Sequence, residues 1–352
     1  MTEAQGPPRY FSPLQTESGA SLVRCGLCPR RCGIPPGGSG QCGVRRNRDG
    51  AGDLPFYGLV TAMAADPIEK KPLYHFRPGS SILSIGFTGC NLHCPFCQNW
   101  RISQGTSAAS GGKRFSPAEV IAAAQSWGFR QIAYTYSEPL VHAEFLLDCM
   151  KLAREAGIAN VLVSNGCVNR EPAADILALT DAANIDLKAF SEETYSRVLG
   201  GDLAAVLSFI KAVYAAGVHL EITTLIVPGL NDSAEETEKC AGFIAGLSRD
   251  IPWHLSAYHP DYRWNAPPTE SAFLIRTVRR ARETLLYVYA GNIDGGVHAQ
   301  DLHDTVCPAC GRLLIQRQGY RINPSGIAVK KADGVYYCVH CGEPAPFVSA
   351  GI

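Results

Sequence analysis

The sequence predicts an α/β protein, a partial (β/α) TIM-like barrel with a small cysteine-rich segment on either side. Three observations carry that expectation. Between 81 and about 293, short β-branched or apolar runs alternate with helical patterns, which is how repeated βα units and a parallel sheet read along a chain. Eleven of the fourteen cysteines fall into three tight groups, one just after the first long apolar run and one on each flank. Finally, 352 residues of which 46% are hydrophobic can bury one substantial core and still leave length for small appended modules.

Taken in order, residues 1–20 read as a mobile tail. The 21–56 segment is rich in Cys and Gly and too polar for a core of its own, so it needs a metal to fold. Within 57–300 the expected strands are 81–87, 131–136, 159–164, 183–188, 218–227, 253–258 and 286–289. Between them, Ser116-Pro117-Ala118-Glu119 is a capping box with Pro at the first helical position, and Ser191 and Ser233 open later helices. Right-handed crossovers curl such units into a complete or partial barrel with its chemistry at the C-terminal strand ends. An open doubly wound sheet is the competing architecture. Residues 301–352 change character: two Cys pairs flank hairpin-like sequence, as in a zinc ribbon.

Lys plus Arg and Asp plus Glu are both 32, so no net field draws the molecule to nucleic acid or an anionic membrane. Arg45-Arg46 is expected to be solvated surface. The most apolar stretch, 203–230, is interrupted by Lys211, His219 and Glu221 and reads as a core helix followed by a core strand rather than a membrane span. With no apolar leader in the first twenty residues, the cytoplasm is the expected compartment. Fourteen cysteines suit that compartment only if most of them bind metal. Cys149, Cys167 and Cys240 stand alone in apolar patterns and are read as buried, inert thiols.

The first strand runs into Phe87-Thr88-Gly89-Cys90-Asn91-Leu92-His93-Cys94-Pro95-Phe96-Cys97. Three thiolates are one too few for a closed zinc site or a fully ligated iron–sulfur cluster. They leave one iron open, able to chelate the amine and carboxylate of S-adenosylmethionine. With this CxxxCxxC spacing and Phe96 before the third Cys, the chain resembles the radical S-adenosylmethionine (radical SAM) superfamily. The resemblance implies a [4Fe-4S] cluster on Cys90, Cys94 and Cys97, reductive cleavage of S-adenosylmethionine, and a 5'-deoxyadenosyl radical that takes a substrate hydrogen.

Other strand ends extend the resemblance, which implies cofactor-binding roles for Phe96, Glu138, Asn165, Asp186, Lys188 and His254. Glu138, in Thr135-Tyr136-Ser137-Glu138-Pro139, either meets the amino group of S-adenosylmethionine or merely caps the helix that follows. Asn165 closes the third strand, and Asp186-Leu187-Lys188 the fourth. Lys188 either meets the cofactor's carboxylate or forms a structural pair with Asp186. Glu221, Thr223, Thr224, His254, Ser256, His259 and Asn292 are candidates for the substrate side. For His254 a satisfied core histidine is the alternative.

On the flanks, Cys25, Cys28, Cys32 and Cys42 offer four thiolates amid Gly37, Gly38 and Gly40. Zinc is the first expectation and an auxiliary [4Fe-4S] cluster the second. Cys307, Cys310, Cys338 and Cys341 form two knuckles expected to hold structural zinc, with His340 a bystander. Together with Asp66-Pro67-Ile68-Glu69-Lys70-Lys71-Pro72-Leu73-Tyr74-His75-Phe76, these flanks resemble the AmmeMemoRadiSam system radical SAM enzymes. The resemblance implies Memo-like and AMMECR-like companion proteins and a flavodoxin or ferredoxin electron donor. The chain is also similar to the pyruvate formate-lyase activating enzymes, which makes a glycyl-radical activase the alternative oxidoreductase function. A metal-binding scaffold or electron carrier without catalysis is a further reading.

Overall fold

The computed structural model describes residues 8–15, 21–104, 111–293 and 300–348. At its centre lies an eight-stranded sheet, with strands labelled here in chain order: β1 (Ala62–Pro67), β2 (Ser81–Gly86), β3 (Gln131–Thr135), β4 (Ala159–Ser164), β5 (Ala182–Asp186), β6 (His219–Ile226), β7 (Trp253–Ala257) and β8 (Val288–Gly291). The strands lie side by side in sequence order, with β1 and β8 at the two edges. From β2 to β8 every pairing is parallel. Each of these strands is buried along nearly its whole length, as a sheet covered on both faces requires.

Six helices make the crossovers: α1 (Pro117–Ser126), α2 (Ala143–Glu155), α3 (Arg170–Leu177), α4 (Leu203–Ala215), α5 (Ala234–Ala245) and α6 (Ser271–Ala281). The capping box of α1 forms in full around Ser116 and Glu119. Ser233 accepts from Glu236 N at 3.1 Å at the start of α5, and Asp202 accepts from Ala205 N at 2.8 Å at the start of α4. The 203–230 stretch is the helix and strand expected, α4 and β6, and Cys149, Cys167 and Cys240 are all buried.

Four expectations change. β1, absent from the expected list, runs antiparallel to β2, from Ala62 opposite Gly86 to Pro67 opposite Ser81. Its alanines carry little strand propensity, so pairing rather than composition makes it a strand. β8 begins two residues late, because Leu286 N donates to Arg249 O at 3.0 Å in the loop before it. Within the expected tail, Phe11–Gln15 pairs antiparallel with Ser21–Cys25, while 1–7 and 16–20 lie outside the described residues. Arg45 is not surface: it is 1% exposed and paired with Glu144 at 2.7 Å.

Beyond β8, two three-stranded sheets and their shared apolar residues (Cys307, Leu314, Ile315, Tyr336, Cys338, Ala345 and Phe347) make the C-terminal module. Its hairpin, Leu313–Gln318 and Arg321–Ile327, docks against the 68–77 segment. Arg317 Nη2 donates to Tyr74 O at 2.7 Å, and Arg77 N donates to Val348 O at 3.0 Å. Among the described residues, no helix is long and apolar enough to cross a membrane.

Candidate active site

The three-cysteine loop leaves the C-terminal end of β2. Gly89 stands at φ +78°, and a Cβ there would lie 2.5 Å from Cys42 O, so the loop needs glycine twice over. Backbone bonds hold its shape, with His93 N donating to Leu199 O at 2.7 Å and Arg263 N to Pro95 O at 2.8 Å. Cys90 Sγ accepts from Leu92 N at 3.3 Å and from Asn165 Nδ2 at 3.6 Å, and Cys97 Sγ lies 3.1 Å from Ser103 Oγ. Phe96 is buried edge-on to Trp264, 6.5 Å between ring centres, and so anchors the loop. Burial pushes the Cys90 thiol well up and the Cys94 thiol to about 11, with Lys188 pulling Cys94 the other way. Sulfurs so placed ionise when cationic iron takes the proton's place, and the triad suits a cluster bound through three of its irons.

The next three strands end around this loop. After β3, Tyr136 and Ser137 both adopt left-handed backbone, φ 48° and 64°, strain of the kind that functional turns retain. That turn aims Glu138 at the end of β4. Its Oε1 accepts from Leu140 N at 3.0 Å and Ser164 Oγ at 2.7 Å, and its Oε2 accepts from Asn165 N at 2.9 Å. Of the two readings of Glu138, the capping one is seen: its carboxylate caps a short helical turn and is buried among donors at the end of β4. Burial pushes its carboxyl up to about 7 against the pull of those donors. Asn165 Nδ2 touches Asn91 Oδ1 at 3.0 Å as well as Cys90 Sγ. Lys188 Nζ meets Asp186 Oδ2 at 2.9 Å. Burial opposes the Lys188 charge, but Asp186 and Cys94 outweigh it and raise the pKa.

Farther along the sheet the expectations divide. Glu221 is wholly buried and accepts from Tyr74 N at 2.9 Å and His75 N at 2.7 Å, with His219 Nε2 at 3.0 Å and His254 Nε2 at 2.7 Å. Thr223 and Thr224 turn to internal partners, Asn184 Oδ1 and Leu187 O. None of these three lines the large cavity beside His254. His254 is a satisfied core histidine in its bond to Glu221 and its stacking on Tyr289 at 5.3 Å, yet it also forms part of a cavity wall. That cavity, about 700 Å³, is lined by His254, Ser256 and Asn292 from the sheet, Gln98 from the cysteine loop, and Arg317 and Tyr320 from the C-terminal hairpin. His259 is bonded to Gln98, 3.0 Å away.

Both flanking cysteine sets assemble. Cys307, Cys310, Cys338 and Cys341 place their sulfurs within 4.8 Å of one another, as a site for a single ion requires, while His340 turns to Arg312. Cys25, Cys28, Cys32 and Cys42 line one pocket together with Arg45 and Asn91. Sequence reasoning missed Asn91, which joins that pocket to the Cys90 loop, and the Glu221 hub. An asparagine beside a cysteine carries no signature, but the charged 66–76 run was a usable signal. Asp66 binds both Lys70 and Lys71 at 2.8 Å, and Glu69 accepts from Gly79 N at 2.7 Å.

Residues 84–241 match the radical SAM superfamily. The chain is 38% identical over 334 residues to an uncharacterized protein of Methanocaldococcus jannaschii, spanning 93% of this chain and 96% of that one. It is 31% identical over 185 residues to the pyruvate formate-lyase-activating enzyme of Clostridium pasteurianum, spanning 50% of this chain and 74% of the relative. Among solved structures, a domain of a pyruvate formate-lyase-activating enzyme from Bacteroides vulgatus aligns with TM-score 0.41 at 21% identity, over 46% of this chain and 98% of that one. The chain belongs to the radical SAM superfamily, whose members are enzymes that use a [4Fe-4S] cluster and S-adenosylmethionine.

Proposed function

We propose that this protein reductively cleaves S-adenosylmethionine to methionine and a 5'-deoxyadenosyl radical, which abstracts hydrogen from a substrate held in the 700 Å³ cavity. The observation that carries the reading is the three-thiol loop with Glu138, Asn165, Asp186 and Lys188 around it at successive strand ends. The cluster, when bound at Cys90, Cys94 and Cys97, supplies one electron to the sulfonium. The protein's part is placement. Lys188 offers a charge to the methionine carboxylate, with Asp186 keeping it protonated, and Glu138 offers its carboxylate to the amine. His254, Ser256 and Asn292 hold the substrate beside the loop, and the C-terminal hairpin keeps water from the radical.

Sulfonium cleavage demands a potential toward the low end of the iron–sulfur range, which spans roughly -700 to +450 mV, and so calls for a flavodoxin or ferredoxin donor. The knuckle cysteines are assigned structural zinc. A second reading, abstraction from a glycine of a partner protein, draws on the 31% identity to the Clostridium pasteurianum enzyme. Memo-like and AMMECR-like companions, suggested by the AmmeMemoRadiSam resemblance, are the first proteins to try as substrates. Anaerobically reconstituted protein should form 5'-deoxyadenosine on reduction, and Cys94→Ala should not. Equal product from the Cys94→Ala variant would overturn the assignment.

A further inference from the structure

The two flanking sets of four thiols match in number but not in shape. Zinc holds each sulfur at about 2.3 Å in a tetrahedron, which puts the sulfurs roughly 3.8 Å apart. The C-terminal set has this spacing, with Cys307 and Cys341 sulfurs 3.6 Å apart and Cys310 and Cys338 sulfurs 3.8 Å apart. Among the described residues it is the one group of three or more ligating atoms gathered within 4.8 Å. Cys25, Cys28, Cys32 and Cys42 are not so gathered: their sulfurs stand farther apart, although all four wall a single pocket. One ion cannot reach four sulfurs across that gap. A [4Fe-4S] cluster can, because each thiolate binds its own iron at the corner of a larger cage. The Cys90 triad, assigned by family membership to such a cluster, also stands wider than the zinc-like grouping. The molecule thus contains a reference for each kind of site.

We propose that Cys25, Cys28, Cys32 and Cys42 hold a second [4Fe-4S] cluster that passes single electrons to the one at Cys90, Cys94 and Cys97, a role that rests on the radical SAM reading. It replaces the zinc first expected there. The surroundings suit a cluster. Arg45 Nε donates to Cys25 Sγ at 3.2 Å, the Arg30 backbone N–H donates to Cys28, and those of Val44 and Arg45 donate to Cys42. Hydrogen bonds of this sort tune a cluster's potential. The cage is fastened to the sheet by Asn169, whose Nδ2 donates to Gly26 O at 2.7 Å and Cys28 O at 2.9 Å.

The two sites also abut. Cys42 O packs on Gly89, Asn91 lines the cage, and Asn165 Nδ2 spans Asn91 Oδ1 and Cys90 Sγ. Cys25 and Cys28 are buried and Cys42 lies against Gly89, so an external one-electron carrier approaches from the partly exposed Cys32. One electron leaves that carrier and reduces the second cluster. The same electron then passes to the first, returning the second to its oxidised state.

The test uses the full chain isolated without oxygen, with iron, sulfide and zinc counted before and after reconstitution. Wild type should carry about eight irons and one zinc. The triple variant Cys90→Ala, Cys94→Ala, Cys97→Ala, which leaves the cage intact, should keep about four irons and show a spin-half signal after dithionite. Cys32→Ser in that background should move the signal's g-values. A triple variant with about two zincs and no iron overturns the proposal, even if wild type with about four irons still makes 5'-deoxyadenosine. Eight irons without 5'-deoxyadenosine would instead overturn the catalytic reading and leave the second cluster standing. If Cys32→Ser does not fold, the iron counts decide alone.

Discussion

Replacing Glu221 with Gln tests the packing that shapes the cavity. The carboxylate collects four donors: His75 N and His219 Nε2 on Oε1, Tyr74 N and His254 Nε2 on Oε2. An amide turns one of those oxygens into a donor that faces one backbone N–H and one ring nitrogen. The ring can change tautomer and accept, but the backbone N–H has no alternative. Stranding that buried N–H and losing charge assistance on the other bonds should together cost about 3 kcal/mol. Urea unfolding of the reconstituted protein near neutral pH would measure it, and a loss below about 1 kcal/mol would refute the reasoning. A pH series adds a signed check. Burial opposes the Glu221 charge, but His219 and His254 hold its pKa well below the usual range. Its contribution is therefore complete above the ordinary carboxylate pKa of about 4.3 and is lost as pH falls through the lowered value. Wild type should lose stability on acidification that Glu221→Gln has already lost.

Other substitutions probe the remaining links. Lys188→Met removes the charge proposed to meet the methionine carboxylate, and calorimetry should find S-adenosylmethionine bound about 10- to 100-fold more weakly; unchanged affinity would remove Lys188 from the site. Arg45→Met strands the buried Glu144 carboxylate and should cost about 3–5 kcal/mol in urea, with Glu144→Gln added to it recovering part of the loss. Gly89→Ala drives a Cβ to 2.5 Å from Cys42 O in left-handed backbone, so the melting temperature should fall by several degrees, an effect of more than about 1 kcal/mol. A melting temperature equal to wild type would mean that the loop and the N-terminal cage do not pack as described.

The βα alternation, the capping box at Ser116 and the three cysteine groups were legible because each is a pattern of near neighbours, written within a strand, a helical turn or a metal knuckle. The burial of Arg45 is not legible, for the opposite reason. Nothing adjacent to it predicts Glu144, which lies 99 positions away. β1 likewise exists through its register with β2 rather than through its composition, and His254 is fixed by a carboxylate on the neighbouring strand.

The sequence by itself carried the expected class of chemistry, since three closely spaced cysteines on one loop offer a cluster one ligand too few wherever that loop sits. Only the tertiary structure decided how wide each four-cysteine cage stands, which side chains wall the cavity, and that the N-terminal cage rests against the catalytic loop. Spacing along a chain counts ligands, whereas the distance between sulfurs is set by what packs behind them. It is that distance which separates a site for one ion from a site for a cluster.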